Sequence, residues 1–227
     1  WGSTYLAIRF ALQGFPPFFQ MASRFLVAGG LLIGWVLWRD GVAGLPTRRQ
    51  WLHALVIGGL MLGGGMGLIA QAEVHISSGL IATFVAVVPM MVSAWGLLFG
   101  KRPTGLELAG MGVGLIGVIM LAHGSGVAAK PEGVALVAAS TACWSLYSWL
   151  LVRTTEPAGI KGQWAQFLMA QMAFGLVWSG LFSAGEWAVG ASHLELNGTL
   201  IAAIAYIVAG PAILAYRCWG VGVQRVG

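Results

Sequence analysis

The chain has 227 residues, of which 58% are hydrophobic and 8% charged, and a formal net charge of +5. A soluble domain carries about 25% charged residues, and a soluble core of this length cannot hide so much apolar side chain, so the water-soluble globular class is excluded. The lysines and arginines are scattered through short breaks and form no basic face, which excludes nucleic acid as a partner; the composition is that of an all-α, polytopic integral membrane protein with the lipid bilayer as its surround.

Apolar runs separated by polar or Gly/Pro breaks predict eight helices. The first run, Trp1 to Gln13, opens without Met and is shorter than the roughly 20 residues that span a bilayer, so its helix is expected to lack its beginning. The second runs from Pro16 to Trp38, with two prolines in the first-turn positions that proline tolerates. The third is Leu52 to Gln71, the fourth Ser78 to Phe99, and the fifth Leu106 to Ala122. The sixth is Val134 to Val152, the seventh Gly162 to Ala184, and the eighth Thr199 to Trp219. With the start of the first helix in the cytoplasm, the loops after helices 2, 4, 6 and 8 carry Arg39, Arg48, Arg49, Lys101, Arg102, Arg153, Lys161, Arg217 and Arg225, while the outer loops carry Lys130. The reverse orientation violates the positive-inside rule almost completely.

The two halves echo each other. "WGSTYLAIRF" resembles "WSLYSWLLVR" from Trp144, "MASRFLVAGG" resembles "MAQMAFGL", and "AEVHISSG" resembles "VGVQRVG". Trp1 thus matches Trp144, Arg24 matches Gln171 and Gly79 matches Gly227. A unit of five helices, an odd number, predicts an inverted repeat, residues 1–123 and 133–227. Such repeats are characteristic of secondary transporters with a site near the midplane between them. The second copy is expected to lack its last two helices.

A charged side chain inside a membrane run is costly and faces a cavity or a partner. Arg9, Arg24, Glu73 and His75 all fall in the outer half of the first repeat. Arg9 is expected to snorkel to the headgroups. For Arg24 two readings stand: a structural pair with Glu73, or direct contact with an anionic group of a solute. Glu73 and His75 are candidates for an ion pair or for proton coupling.

Trp1, Tyr5 and Arg9 step by four along the first helix, and Thr141, Trp144 and Ser148 share a face of the sixth, with Ser140 and Tyr147 beside it. These faces read as the wall of a cavity for an amphipathic solute, ahead of a dry helix contact. Gln71 and Gln171 add amides, with Gln163 and Gln166 nearby. Gly59, Gly63 and Gly67 form a small-residue packing seam that ends at Gln71. Pro89, in the middle of the fourth helix, cannot donate to the Val85 carbonyl and predicts a kink.

Other patterns carry no chemistry. Gly112, Gly114 and Gly117 spell a dinucleotide-type motif, but within a membrane run they read as close helix packing. Asn197-Gly198-Thr199 is a chance glycosylation triplet. Cys143 and Cys218 read as small buried hydrophobes. Glu132, Glu186 and Glu195 fall in predicted outer loops. His53, His75, His123 and His193 lack metal-ligand spacing. With no nucleophile–base pair or paired carboxylates on one helix face, no enzyme activity, metal or cofactor is expected. Oligomeric state leaves no mark in the sequence.

The stretch "WGSTYLAIRFALQGFPPFFQMASRFLVAGG" resembles the first two helices of EamA-type carriers in the drug/metabolite transporter superfamily. "GMGLIAQAEVHISSGLIATFVAVVP" and "LELAGMGVGLIGVIML" resemble their third to fifth helices. The resemblance implies ten helices in two inverted repeats of five, about eight of them present here. It also implies a bacterial inner-membrane location and export of small metabolites, amino acids or drugs. Where many members have a Glu just after the fourth helix, this chain has Gly100-Lys101-Arg102, and the nearest carboxylate is Glu107. An exchanger of nucleotide sugars or other organic anions on the same architecture is the main alternative, followed by an intramembrane enzyme or a scaffold.

Overall fold

The computed structural model describes residues 2–100, 103–124, 130–154, 164–190 and 194–226. Trp1, Lys101, Arg102, Lys161, Gln163 and His193 lie outside them, as do the side chains of His123 and Arg225.

The described residues form helices and no strand. In chain order these are α1 (Gly2–Ala11), α2 (Pro17–Asp40), α3 (Arg48–Ala72), α4 (Ser78–Leu98), α5 (Gly105–Gly124), α6 (Pro131–Thr154) and α7 (Trp164–Ala188). The last, α8, starts at Gly198 and runs through three segments to Val226. Six of them, α2, α3, α4, α6, α7 and α8, are long and apolar enough to cross a membrane. Helices answer the constraint of a lipid surround, where every backbone polar group must bond within its own segment.

Helix starts follow local chemistry. Thr47 and Gln50 form a capping box that begins α3 at Arg48, so Arg48 and Arg49 sit in a first helical turn and not in a loop. Thr104 and Glu107 bond each other's backbone N–H in the same way ahead of α5. Ser77 caps α4, and Asn197, the residue of the chance triplet, caps α8 through the Leu200 N–H.

Two helices depart from simple α geometry. Both α3 and α8 widen into π turns in mid-course, over Gly59–Gly67 and Val208–Ala215, which periodicity could not foresee. Helix α4 is broken into Ser78–Val85 and Val88–Leu98, with Pro89 in the first turn of the second piece, in line with the predicted kink.

Helices α2 and α7 make the largest contact, antiparallel along their whole length. Phe18 stacks on Phe182 at 4.9 Å near one end, Gly29 faces Met172 in the middle, and Gln166 Nε2 donates to Asp40 Oδ2 at 3.3 Å near the other. Helix α3 packs on α7, where Gly59 and Gly63 face Trp178 while Gly67 faces Phe18. Helix α6 lies antiparallel on α3, with Ser140 Oγ donating to the Gly65 carbonyl at 2.6 Å in the π stretch. Helix α1 lies antiparallel on α8, joined by the Ser3 and Tyr206 hydroxyls at 2.6 Å and by the Glu195 N–H to the Gly14 carbonyl at 3.0 Å.

Some expectations are corrected. Helix α5 touches chiefly the first piece of α4, and nothing lies within 4 Å of where a Cβ on Gly112 or Gly117 would sit, so close packing holds there only for Gly114, against Met90. Cys143 packs against Gly64, whereas Cys218 is exposed; both are free thiols. Glu132 belongs to the first turn of α6, and Glu186 to α7, which continues four residues past its predicted end at Ala184.

A Cβ on Gly58 would lie 3.1 Å from the Cα and 3.2 Å from the carbonyl oxygen of Gln171. Gly58→Val is therefore expected to cost about 1–3 kcal/mol by overpacking. Gly34→Val, with nothing within 4 Å, should stay within about 0.5 kcal/mol. Thermal unfolding in detergent separates them, and equal midpoints would contradict the contact.

Candidate functional site

Six elements contribute buried polar side chains to this region. Helix α1 contributes Thr4 and Tyr5, α2 contributes Gln20 and Arg24, the turn after α3 contributes Glu73, and α8 contributes Tyr216. Helix α6 adds Trp144 and Tyr147, the latter sharing a side-chain hydrogen bond with Gln171 of α7.

Arg24 is 1% exposed. It approaches the Tyr216 phenol and lies in electrostatic range of Glu73 and Tyr5. Its Nε, Nη1 and Nη2 nonetheless complete no hydrogen bond of good geometry among the described residues. Neither Glu73 oxygen, nor the Thr4 and Tyr5 hydroxyls, nor either amide atom of Gln20 has a hydrogen-bond partner there. Most buried polar groups in proteins are paired, and each unpaired one costs about 1–3 kcal/mol, more when charged. Of these groups, Tyr5, Arg24 and Glu73 lie within electrostatic range of one another, and they make this the candidate site.

The expected Arg24–Glu73 pair does not close: among the described residues the ion pair found joins Arg39 to Asp40. Glu73 follows the end of α3, outside the spans on either side of it. Burial pushes its carboxyl up to about 8, against the pull of Arg9 and Arg24. Arg9 is exposed and reaches back to the Ile76 carbonyl at 3.5 Å. His75 packs its Cβ toward Gly133 of α6.

Beside this cluster lies a cavity of about 260 Å3 lined by Tyr5, Trp144, Trp219 and the broken middle of α4, from Ala82 to Pro89. Trp144 and Trp219 meet edge to face, 6.4 Å between ring centres. Tyr5 belongs to both places: its ring lines the cavity, while its phenol lies in electrostatic range of Arg24, Glu73 and Tyr216.

The remaining candidates sit elsewhere. Ser148 and Thr141 donate to carbonyls of their own helix, Trp144 at 3.0 Å and Val137 at 2.7 Å, so neither hydroxyl needs a solute. Gln71 Nε2 reaches Glu186 Oε1 at 3.5 Å, at the start of α2. Sequence reasoning missed Gln20, Tyr216, Trp219 and Glu186. Gln20 stands one turn before Arg24, a spacing that could have revealed it. Glu186 was hidden by distance: its carboxylate accepts the Phe18 N–H at 3.1 Å and the Phe19 N–H at 3.2 Å, 168 and 167 residues away. It caps a helix whose own N-cap is Pro16, which offers no side-chain bond.

Residues 1–122 match the model of the EamA-like transporter family. The chain is 36% identical over 216 residues to the "Uncharacterized inner membrane transporter YedA" of Escherichia coli K12, across 91% of this chain and 69% of that one. It is 29% identical over 123 residues to an "Uncharacterized transporter" of Archaeoglobus fulgidus, 53% of this chain and 41% of that one. It is also 29% identical over 116 residues to "Protein PagO" of Salmonella typhimurium, 51% of this chain and 38% of that one. One crystal structure at 22% identity superposes with a TM-score of 0.68 over 99% of this chain and 78% of its own, a likeness of fold.

Removing the Glu186 cap leaves two backbone donors of α2 without their acceptor. Glu186→Ala is expected to lose about 1–2 kcal/mol, and Glu186→Gln less, because an amide carbonyl still accepts. Thermal unfolding of both variants in detergent checks this; an unshifted Ala variant would show that the cap does not hold the helix.

Proposed function

The chain belongs to the EamA-like transporter family and is a multi-pass inner-membrane protein, and on that premise we propose that it is a secondary carrier exporting small metabolites, amino acids or drugs by alternating access. The family and the names of the relatives indicate a transporter in place of an enzyme. The observation that carries the finer reading is the aromatic cavity adjoining a buried polar cluster, an apolar wall with one charged corner. Pockets for small molecules run about 300–1,000 Å3, so a cavity of about 260 Å3 suits a small solute better than a nucleotide sugar.

Three features support inverted halves, residues 1–123 and 133–227. Exchanging helices 1, 2 and 3 for 6, 7 and 8 turns the α1–α8 contact into the α6–α3 contact, and both are antiparallel. It returns the antiparallel α2–α7 contact to itself. It also carries the π stretch of α3 onto that of α8. In the orientation with the loops after helices 2, 4, 6 and 8 in the cytoplasm, the Glu186 cap and the Glu195–Gly14 bond tie the outer end shut. The cavity then lies about the midplane, with Ala82 toward the outer face and Trp219 toward the inner one. The breaks in α3, α4 and α8 are where the helices give as access alternates.

A second reading, exchange of organic anions on this architecture, is favoured by the buried Arg24. Exchange demands a trans anion; export does not.

The test is the chain reconstituted in proteoliposomes with amino acids, aromatic metabolites and cationic drugs, with and without a pH gradient. Saturable flux of at least one class is expected, and Trp144→Ala, which removes a cavity wall, should lower that flux at least about tenfold through loss of binding area. No flux across the panel would sink the carrier reading, and flux indifferent to Trp144→Ala would move the pathway away from this cavity.

A further inference from the structure

We propose that Arg24 binds the anionic head, a carboxylate, of the solute this carrier moves, and that Glu73 is the internal competitor of that anion, holding a proton whenever the solute occupies Arg24. The inference rests on the carrier reading above and adds the chemical class of the solute and the group that sets its pH dependence.

Arg24 is a permanent cation, since a guanidinium does not give up its proton in proteins. Isolated in a buried site it is costly, and the cost falls when an anion with two acceptor oxygens meets its fork of donors. Every nitrogen of that fork is buried and lacks a well-formed hydrogen bond among the described residues. Further donors for a carboxylate are the Tyr5 hydroxyl and, one turn earlier on α2, the Gln20 Nε2 amide, both buried and without hydrogen-bond partner. The Tyr5 ring continues into the cavity with Trp144 and Trp219. A carboxylate on Arg24 therefore leaves an apolar tail pointing along an aromatic wall. A neutral or cationic solute gains nothing from the guanidinium.

Among the described residues, the carboxylate nearest in electrostatic terms is Glu73, which acts on Arg24 and Tyr5 but closes no ion pair with Arg24. The other groups around it are few. Arg9 acts on it from α1, and His75 lies two residues along its own turn. Helix α6 brings Gly133 against His75, next in the chain to the exposed Glu132 and three residues after the exposed Lys130. Glu186 of α7 reaches that end of α3 only through Gln71. One buried cation thus serves two carboxylates, one fixed and one arriving. Two anions crowded on one cation cannot both stay ionised. The solute binds when Glu73 is protonated, and ionised Glu73 competes with it.

The direction of the pH effect follows. Burial holds Glu73 protonated up to about pH 8. Below that value Glu73 is neutral and anion affinity is flat. Above it Glu73 ionises, the solute must bring a proton in with it, and affinity falls by up to tenfold per pH unit. An acid with an ordinary carboxyl pKa stays ionised throughout this range, so the fall belongs to the protein.

The experiment uses the purified chain in detergent and follows binding by tryptophan fluorescence, with Trp144 and Trp219 as reporters. The probes are phenylacetate, the neutral phenylacetamide and the cationic phenethylamine. Phenylacetate is expected to bind at pH 7 at least about tenfold more tightly than the other two, and to weaken about tenfold from pH 7 to pH 9. Glu73→Gln should bind as tightly at pH 9 as at pH 7, and Arg24→Gln should lose at least about tenfold at pH 7 with Arg24→Lys recovering part of it. Phenylacetate that does not bind, or binds no better than the amide, overturns the proposal, as does a pH profile that survives Glu73→Gln. If Arg24→Gln fails to give a monodisperse helical protein, the Glu73→Gln profile decides. Flux of neutral or cationic solutes without carboxylate binding overturns this inference and leaves the carrier reading standing. Carboxylate binding without flux of any solute does the reverse.

Discussion

The bundle is organised by the contact of α2 with α7. Lipid tails are as apolar as leucine, so helices in a membrane associate by close packing and polar bonds and not by expulsion of water. The sequence meets that condition with small residues where backbones meet. Gly29 faces Met172, Gly175 receives Leu62 and Phe25, and Gly58 lies against the backbone of Gln171. The other helices take their places from this pair. Helix α3 rides on α7, α8 on α2, α6 on α3 and α1 on α8. Arg24 and Gln171, the polar residues of the two central helices, are thereby brought to where α1, α6 and α8 add theirs.

Two carboxylates near the same end of the bundle illustrate how environment assigns roles. Glu186 is held by two backbone N–H groups of α2 and by Gln71, so its oxygens are occupied in maintaining the fold. Glu73 is more deeply buried and has no such partners. One satisfied acid and one unsatisfied acid, both in a setting that penalises charge, cannot do the same work. The unsatisfied one is free to change its protonation, while the satisfied one is occupied in holding the start of α2.

Much of the fold was legible because membranes constrain sequence strongly. Apolar runs, Pro16–Pro17 and the caps at Ser77 and Asn197 follow from local chemistry, and helix starts agree with the predicted runs to within a few residues. Pro89 signalled the break in α4 by its missing N–H. The π turns did not show, because a widened turn depends on what the freed carbonyl finds. For Gly65 that is Ser140, 75 residues on. The site was half legible. Arg24, Tyr5, Glu73 and Trp144 stood out as polar or aromatic residues in apolar runs. Tyr216 and Trp219 did not, since they looked like the polar end of the last run. For Ser148 the sequence leaves the matter open, because a hydroxyl bonded to its own helix, as here to the Trp144 carbonyl, leaves the same mark as one aimed at a ligand.

The double fastening of α2 by α7 has a mechanical consequence. Glu186 grips the first donors of α2, and Gln166 reaches Asp40 at its last residue, while the packed glycine contacts lie between them. A rod pinned at both ends and gripped along its length has lost sliding and rolling as degrees of freedom. The α2–α7 pair behaves as a rigid strut, and the compliance of the bundle is left to helices with interrupted backbones: α3, α4 and α8. Arg24 is mounted on the strut, whereas Tyr216 and Glu73 stand at the ends of compliant segments. Any rearrangement of the bundle therefore moves the other groups relative to a stationary cation.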